Sequence, residues 1–498
     1  MGRTELVERE TKFDVPAGFE LPDLRGVVQR VERLPEQHLW TTYYDTADGR
    51  LWERGITLRH RAVGGGPEGG PPGTWTLKVP VGDGGPTLDR DELSWDGTAG
   101  VVPPGPAAVV RGLVRRREMV QRVQLATTRR RLALHAVGTV AAEIDDDVVS
   151  VVGGVRDGLR FRQLELELAD GGEAVREGVA AELVQAGAAV SNVPKVAEAL
   201  GLAPPAAPPA VDRRSSLGDV VRSSLCSSLD RLLDYDWRLR VSAPALGPHD
   251  VHQARVATRR LRSDLKTFGA VLDPIWVGHV RADLKWAGGT LGAVRDADVL
   301  AGHVDAAPAD LREVLAGQRQ AAAADVVAML LSDRYLDLLD RLHAAADRPP
   351  FLGVAGTGAG DPAADVLPIL VGDQWRALRR QVRKAGRRPS DHRLHRIRIK
   401  AKQLRYAAEM AAPVVGKPAR RTASLAEDVQ TVLGEHHDSV AAGAWLRQQA
   451  AQSGLSPAAA FDAGIVAARE EHHRRKLARR WATSWDALAR TRNRRWLG

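Results

Sequence analysis

The sequence predicts a multidomain α+β protein: antiparallel strands closing into a barrel in the first half, and an all-α, internally duplicated second half. Three observations carry that reading. Residues 1–200 hold short runs of alternating apolar and polar residues broken by turn chemistry, whereas residues 217–498 carry apolar residues at helical spacing. The Pro/Ala tract APPAAPPAVD at 203–212 separates them and reads as a stiff, extended spacer. Cutting there splits the net charge of +9 into −6 for residues 1–212 (25 Lys+Arg, 31 Asp+Glu) and +15 for residues 213–498 (46 and 31). The second half is therefore expected to meet a polyanion. The expected domains are 1–202 and 217–498, joined by 203–216.

Bulk features exclude several classes. A chain of 498 residues is too long for one ordinary core. A single cysteine, Cys226, forbids an internal disulfide, and no CxxC or CxxH spacing suggests structural zinc. The start MGRTELVERETKFDV has no apolar signal core, and no run of about eighteen apolar residues occurs. A soluble cytoplasmic protein without a membrane partner is expected.

The first strand, VERETKF (7–13), places Glu8, Glu10 and Lys12 on one face, because alternate residues of a strand share a side. TTYYDTADGRLWERGITLRHRAV follows, with its turn DTADG, and GGGPEGGPPG (64–73) separates it from TWTLKVPV. LDRDELSW, RVQLATTRRRLAL, TVAAEIDDDVVSVV and FRQLELELA complete an antiparallel meander that reads as a barrel. Parity repeats the opening pattern. Arg59 and Arg61 share a face, as do Arg90 and Glu92, Glu143 and Asp145, and Glu165 and Glu167, while Lys78 lies opposite Leu77 and Val79. One such strand is an ordinary solvated face; five or six presenting charges of both signs point to a site. Cations gather phosphates, arginine by its planar fork, and carboxylates tolerate a phosphate chain when a hard divalent cation stands between them. Asp145, Asp146 and Asp147 read equally well as an acidic hairpin turn.

VERETKF resembles the ExExK signature of the CYTH superfamily of triphosphate tunnel metalloenzymes. The remainder of 5–202 is similar in order: YYDTADGRLWERGITLRHR, TLKVP, RDE, TTRRRL, EIDDD, LELEL and SNVPKVAEAL. The resemblance implies an eight-stranded antiparallel tunnel barrel that binds a linear triphosphate and hydrolyses it with Mg²⁺ or Mn²⁺. It implies Glu8, Glu10, Glu165 and Glu167 as metal carboxylates, with Glu92, Glu143 and Asp145 completing a second metal shell. Arg59, Arg61, Lys78, Arg90, Arg129 and Lys195 become phosphate contacts, and Lys12 stabilises charge on the transferring phosphoryl group. In RRR at 129–131, strand parity excludes only Arg130.

The second half repeats. HQARVATRRLRSDLK from His252 and HRIRIKAKQLRYAAE from His395 both read H-x-x-R-[VI]-x-x-[RK]-x-L-R, and LGAVRDADV (291–299) matches LGEHHDSVA (433–441) through Leu-Gly and Asp296 or Asp438. The copies are offset by about 143 residues, with RPPFLGVAGTGAGDP (348–362) as the loop between them. At about 100° per residue, His252, Arg255, Arg259, Arg262 and Lys266 project within an arc of roughly 80°. His395, Arg398, Lys402 and Arg405 do the same. A single-sign stripe without i,i+4 acidic relief until Glu409 needs a multivalent anion. Few aromatics interleave, Phe268 and Tyr406 being nearest, which argues against base stacking; an extended anion without bases is expected rather than nucleic acid. His with Arg at i+3 and i+7 suits phosphate better than metal.

This half resembles the CHAD domain, the conserved-histidine α-helical domain that often follows CYTH, over roughly 217–490. The resemblance implies two pseudo-symmetric four-helix bundles around a basic channel for inorganic polyphosphate. Lys400, Arg379, Arg380 and Arg383 are further candidate contacts, the last three equally readable as a solvated face, and EEHHRRKLARRW (470–481) reads as outer surface. Joined, the halves predict a polyphosphate-binding, metal-dependent inorganic triphosphatase, cytoplasmic and associated with polyphosphate granules. A non-catalytic polyphosphate module and a nucleotide- or thiamine-triphosphate enzyme are the alternatives. No GxSxG or P-loop is present.

Overall fold

A computed structural model of the chain describes residues 4–64, 72–80, 88–136, 138–169, 173–205, 209–352, 358–452 and 454–497, with backbone alone for 4–9, 88–89, 173–174 and 452. Most of the GGGPEGGPPG loop, residues 206–208 of the Pro/Ala tract and the Glu8 side chain lie outside this description. The chain forms two compact units, Met1–Ala206 and Ala207–Gly498.

The first unit contains strands β1 (Thr4–Val15), β2 (Arg30–Arg33), β3 (Gln37–Thr46), β4 (Thr57–Val63), β5 (Gly73–Pro80), β6 (Leu88–Gly97), β7 (Met119–Ala136), β8 (Thr139–Val152), β9 (Arg160–Leu168) and β10 (Ala189–Ser191). Its helices are α1 (Pro104–Val114), α2 (Glu173–Gln185) and α3 (Lys195–Leu200). Eight strands pair antiparallel in the order β1-β6-β5-β4-β3-β7-β8-β9, and β9 pairs back onto β1, closing a barrel. β2 adds to β7, and β10 adds to the end of β1 beyond β6.

Polarity in this barrel is inverted. Cross-strand partners share a face, and the register links Glu8 with Arg90, Glu10 with Glu167, Lys12 with Glu165, Asp145 with Glu165 and Arg129 with Asp147. Glu10, Lys12, Arg90, Arg129, Asp145, Asp147, Glu165 and Glu167 lie on the inner face. The alternate residues Phe13, Leu134, Ile144, Leu164 and Leu166 face outward, fully buried, beneath Val179 and Leu183 of α2. A one-residue slip would put charges under α2 and leucines in the tunnel, so burial on the outside fixes the charges inside. Towards one end the inner face becomes apolar: Tyr43, Val123, Leu125, Val149 and Val151 pack against Val196 and Ala199 of α3. The helix stoppers that end while its first residue, Lys195, remains buried among the charges. Asp145–Asp147 lie within β8, so the hairpin-turn alternative is corrected: Asp146 points outward to Arg162 at 2.7 Å, and its two neighbours point inward.

The second unit is helical: α4 (Leu217–Ser242), α5 (Pro248–Thr267), α6 (Pro274–His303), α7 (Ala309–Leu331), α8 (Asp333–Asp347), α9 (Ala363–Ala385), α10 (Asp391–Val415), α11 (Lys417–Gln452) and α12 (Pro457–Ala489). An offset of 143 carries the start of α5 onto that of α10 (248 to 391) and of α6 onto α11 (274 to 417). The helix starts of α4 and α7 land close to α9 and α12. α8 has no counterpart; it packs its apolar side, including Tyr335, Leu338, Leu339 and Leu342, as a fifth helix of the first bundle. The two bundles meet through α5 with α10 and α6 with α11. No helix among the described residues is long and apolar enough to cross a membrane.

Because Leu166 is fully buried between β9 and α2, Leu166→Ala should cost about 2–5 kcal/mol of barrel stability, read as a lowered denaturant midpoint. An unchanged midpoint would contradict the inverted-core assignment.

Candidate phosphate and metal sites

In the barrel, β1 and β9 bring the predicted carboxylates together. Ligand atoms of Glu10, Glu165 and Glu167 all lie within 4.8 Å of one another. Lys12 Nζ lies 3.0 Å from Glu10 and 2.9 Å from Glu165. Lys195 lies 2.7 Å from both Asp147 and Glu165. Arg129 pairs with Asp145, with Asp147 at 2.7 Å and with Glu165 at 3.0 Å. Burial pushes the Glu10 carboxyl up, but Lys12 and Lys78 outweigh it and bring it down to about 2. Burial likewise opposes ionisation of Glu165, yet Lys12, Lys195 and Arg129 hold it well below the usual carboxylate range. Asp145 goes the other way, since burial there outweighs Arg129.

The opposite wall is cationic. Arg59 and Arg61 on β4, Lys78 on β5 and Arg90 on β6 share the inner face, and Lys78 pairs with Glu92 at 3.3 Å. Arg61 reaches only the Thr41 hydroxyl, its Nε donating at 3.3 Å, and burial, then Arg59 and Arg129, lower its pKa to about 10. A guanidinium depressed by its neighbours marks a wall short of negative charge. Arg90 Nε is buried without a hydrogen-bond partner. Glu143 sits apart from the carboxylate cluster, half-exposed and paired with Arg131 at 2.6 Å. The strand register resolves the 129–131 choice: Arg129 is deep and Arg131 is nearer solvent. Asp147, Asp14 and Tyr43 share the inner face and were not singled out; only parity with Asp145 could have pointed to Asp147.

In the helical unit, α5 and α10 pack against each other and present both stripes together. Arg255 Nη2 meets Asp296 at 3.1 Å across Gly292, where an added Cβ would come within 3.3 Å of the Arg255 Nε. Arg398 lies across Gly434 in the same way, drawn by Asp438. The repeated Leu-Gly and aspartate thus have a physical reason: a bare helix surface lets a guanidinium cross it towards an acid one turn on. Arg259, Arg262 and Arg398 each bury Nε without a hydrogen-bond partner, and so does His395 at Nδ1. His395 stacks near His437, ring centroids 4.2 Å apart, and burial followed by His437 and Arg398 pushes it down to about 4. Lys402 is pushed down to about 6 by burial, then Arg259, Arg398, Arg255 and Arg262. Lys266 falls to about 7 through burial, Lys400 and Arg281, both lysines donating to Gln403 Oε1 at 2.7 and 3.2 Å.

Two stripe members differ from the rest. Arg405 is neutralised by Glu409 at 2.6 Å and Glu427 at 2.9 Å, on a cavity of about 600 Å³ that it shares with Arg259, Arg260 and Tyr406. His252 lines the same cavity, with its pKa lowered by burial and Arg295. Arg281, Arg295 and His437 join the cationic cluster; Arg295 and His437 hold the same place in the two Leu-Gly motifs, four residues after Leu291 and Leu433, whereas the position 143 residues on from Arg281 is Ser424.

A charged antiparallel tunnel followed by a duplicated basic helical unit defines a CYTH barrel joined to a CHAD domain, and the chain belongs to the CYTH–CHAD family. The family model for the CHAD domain matches residues 224–447. Across 508 aligned positions the chain is 31% identical to the uncharacterized protein Rv2226 of Mycobacterium tuberculosis strain H37Rv, covering 93% of each. Similar solved structures include PptA from Streptomyces chartreusis (20% identity, 55% of this chain and 100% of that one, TM-score 0.46). The CHAD domain from the plant Ricinus communis is 26% identical over 55% of this chain and 96% of that one, TM-score 0.42.

The pKa values of Lys402 and Lys266 give a signed prediction. Both lysines titrate far below 10.5 in the ligand-free unit, and a polyanion favours their charged forms, so anion binding takes up protons above about pH 6–7. Affinity for inorganic polyphosphate should therefore fall between pH 6 and pH 8.5, and Lys402→Met should flatten the slope. Calorimetry in buffers of different ionisation heat measures the uptake; pH-independent affinity would oppose the assignment.

Proposed function

We propose that the barrel hydrolyses inorganic triphosphate or short polyphosphate with Mg²⁺ or Mn²⁺, and that the helical unit binds inorganic polyphosphate. The observation that carries the first reading is the division of one tunnel into a carboxylate cluster and a cationic wall. Three carboxylates whose hard oxygen donors lie within 4.8 Å of one another, Glu10 and Glu165 among them buried, fit a divalent cation. Glu10, Glu165 and Glu167 would hold it, with Glu8 opposite Arg90 in register and Glu92, Glu143 and Asp145 farther out. A bound divalent cation supplies Lewis acidity towards phosphoryl oxygens and makes water more acidic. Arg59, Arg61, Lys78 and Arg90 take the phosphate oxygens from the cationic wall. Lys12, Arg129 and Lys195, now paired with carboxylates, turn to the transferring phosphoryl group and stabilise its charge. The α3 residues Val196 and Ala199 fill one end of the tunnel, so water and substrate do not pass through there.

Glu10→Gln and Glu167→Gln should each lower phosphate release from triphosphate by at least a hundredfold, with the fold intact by circular dichroism. The same variants should weaken Mn²⁺ binding measured by electron paramagnetic resonance. Wild-type turnover and wild-type Mn²⁺ affinity in either would sink the metal assignment.

For the helical unit, the supporting observation is the set of buried cations that depress one another. Arg255 and Arg259 replaced by Ala, or Arg398 and Lys402 replaced by Ala, should weaken long-chain polyphosphate binding to a similar degree, each lost contact contributing roughly 1.5–3 kcal/mol. Arg405→Ala should matter less, since Glu409 and Glu427 already neutralise it. Equal, small effects from all three would overturn the channel reading.

A further inference from the structure

The outer side of the second bundle carries a second concentration of positive charge that the buried stripes do not use. The segment running from α9 to the first residue of α10 is tied to α12 at two points. Trp375 stacks on Trp485 with centroids 5.4 Å apart and planes 13° from parallel, and Arg474 Nη1 meets Asp391 at 2.6 Å. Going from Trp375 to Asp391 ascends the first segment while Trp485 to Arg474 descends the second, so the two run antiparallel, side by side. Between these ties the first segment carries Arg376, Arg379, Arg380, Arg383, Lys384, Arg387 and Arg388; the second carries Arg475, Lys476, Arg479 and Arg480. All eleven are exposed. Neither 374–390 nor 472–485 contains an aspartate or glutamate. The acids lie at the margins, where Asp373 meets Arg376 and Glu471 meets Arg475.

Spacing along α9, at i, i+3, i+4, i+7 and i+8 from Arg376 to Lys384, makes this one stripe rather than scattered surface charge. Residues 376–385 of α9 span about 14 Å at the helical rise, and the exposed cations of the two segments face solvent along that length. Nine of the eleven cations are arginine, whose fork suits phosphate oxygens. Nothing here encloses a ligand. An open, solvated face gains little per contact and cannot repay the ordering of a flexible chain, so it favours a stiff polyanion already holding its charges in rows. No aromatic among these eleven positions offers a stacking platform for single strands.

We propose that this α9–α12 face binds the backbone of double-stranded DNA without reading its sequence, independently of the polyphosphate stripes of α5 and α10. The face touches phosphates alone, so the scarcity of aromatics near the inner stripes does not bear on it.

The test measures binding of the full-length protein to a fluorescent 30-base-pair duplex by anisotropy, at 50 and 200 mM salt, alongside inorganic polyphosphate. The outer variant combines Lys384→Glu, Arg479→Glu and Arg480→Glu; a milder one carries Gln at the same positions; the inner variant combines Arg398→Ala and Lys402→Ala. Wild type should bind duplex at 50 mM salt and lose at least tenfold in affinity at 200 mM, as counterion release requires. The outer Glu variant should lose at least tenfold for duplex and the Gln variant a smaller factor in the same direction, while both keep polyphosphate binding within about threefold. The inner variant should do the opposite. No duplex binding by wild type, or unchanged duplex binding by the Gln variant, overturns the proposal. So does a loss of polyphosphate binding in the outer variants equal to that of the inner one, which would make the face an extension of the polyphosphate site.

Discussion

Both units crowd buried positive charge. In the helical unit, burial, then Arg259, Arg398, Arg255 and Arg262, lower the Lys402 pKa to about 6. In the barrel, burial, then Arg59 and Arg129, lower that of Arg61 to about 10. Such arrangements work against folding, because like charges repel and burial strips them of water. They persist where the surrounding structure over-determines them, and here it does: outward leucines lock the barrel register, and two copies of one helix pair lock the stripes.

The two units reach this charge density by different geometry. The barrel uses a period of two, which separates its inner face cleanly from its outer one and lets carboxylates and cations alternate at fixed cross-strand distances. That suits a short anion accompanied by a metal, because sites for both signs lie within one register step, as Lys12 lies between Glu10 and Glu165. The helical unit uses a period of 3.6 and puts one sign along each stripe. Asp296 and Asp438, reached across Gly292 and Gly434, steer two arginines rather than cancel the cluster.

Sequence periodicity made most of this legible. The inner-face charges were readable because strand parity is binary: once Glu10 is inside, Lys12 follows, and LELEL fixes Glu165 and Glu167 the same way. The three aspartates at 145–147 were ambiguous because a run of one residue type carries no parity of its own; the pairing with Arg129 and Arg162 on neighbouring strands decides it. Helical stripes were readable for the same periodic reason, and the duplication supplied a second copy. Arg281 was not readable, since it comes from α6 without a basic counterpart in the repeat; Arg295 and His437 share one position of the Leu-Gly motif, where Arg and His match in charge type but not in identity. α8 escaped the four-helix expectation because it belongs to one copy alone.

Arg405 shows where pattern and function part. It continues the second stripe at the right spacing, seven residues beyond Arg398, but Glu409 one turn later and Glu427 on α11 take up its charge. Arg260, which lies outside the stripe, shares Glu409 and Asp264 in the same manner. The boundary of the anion site is thus set by where carboxylates begin, rather than by where cations end. The same criterion distinguishes the outer α9–α12 face from ordinary charged surface: its acids stand only at the rim. Crowded positive charge is the common thread, and what separates the sites is enclosure, which the tunnel and the stripes have and the outer face does not.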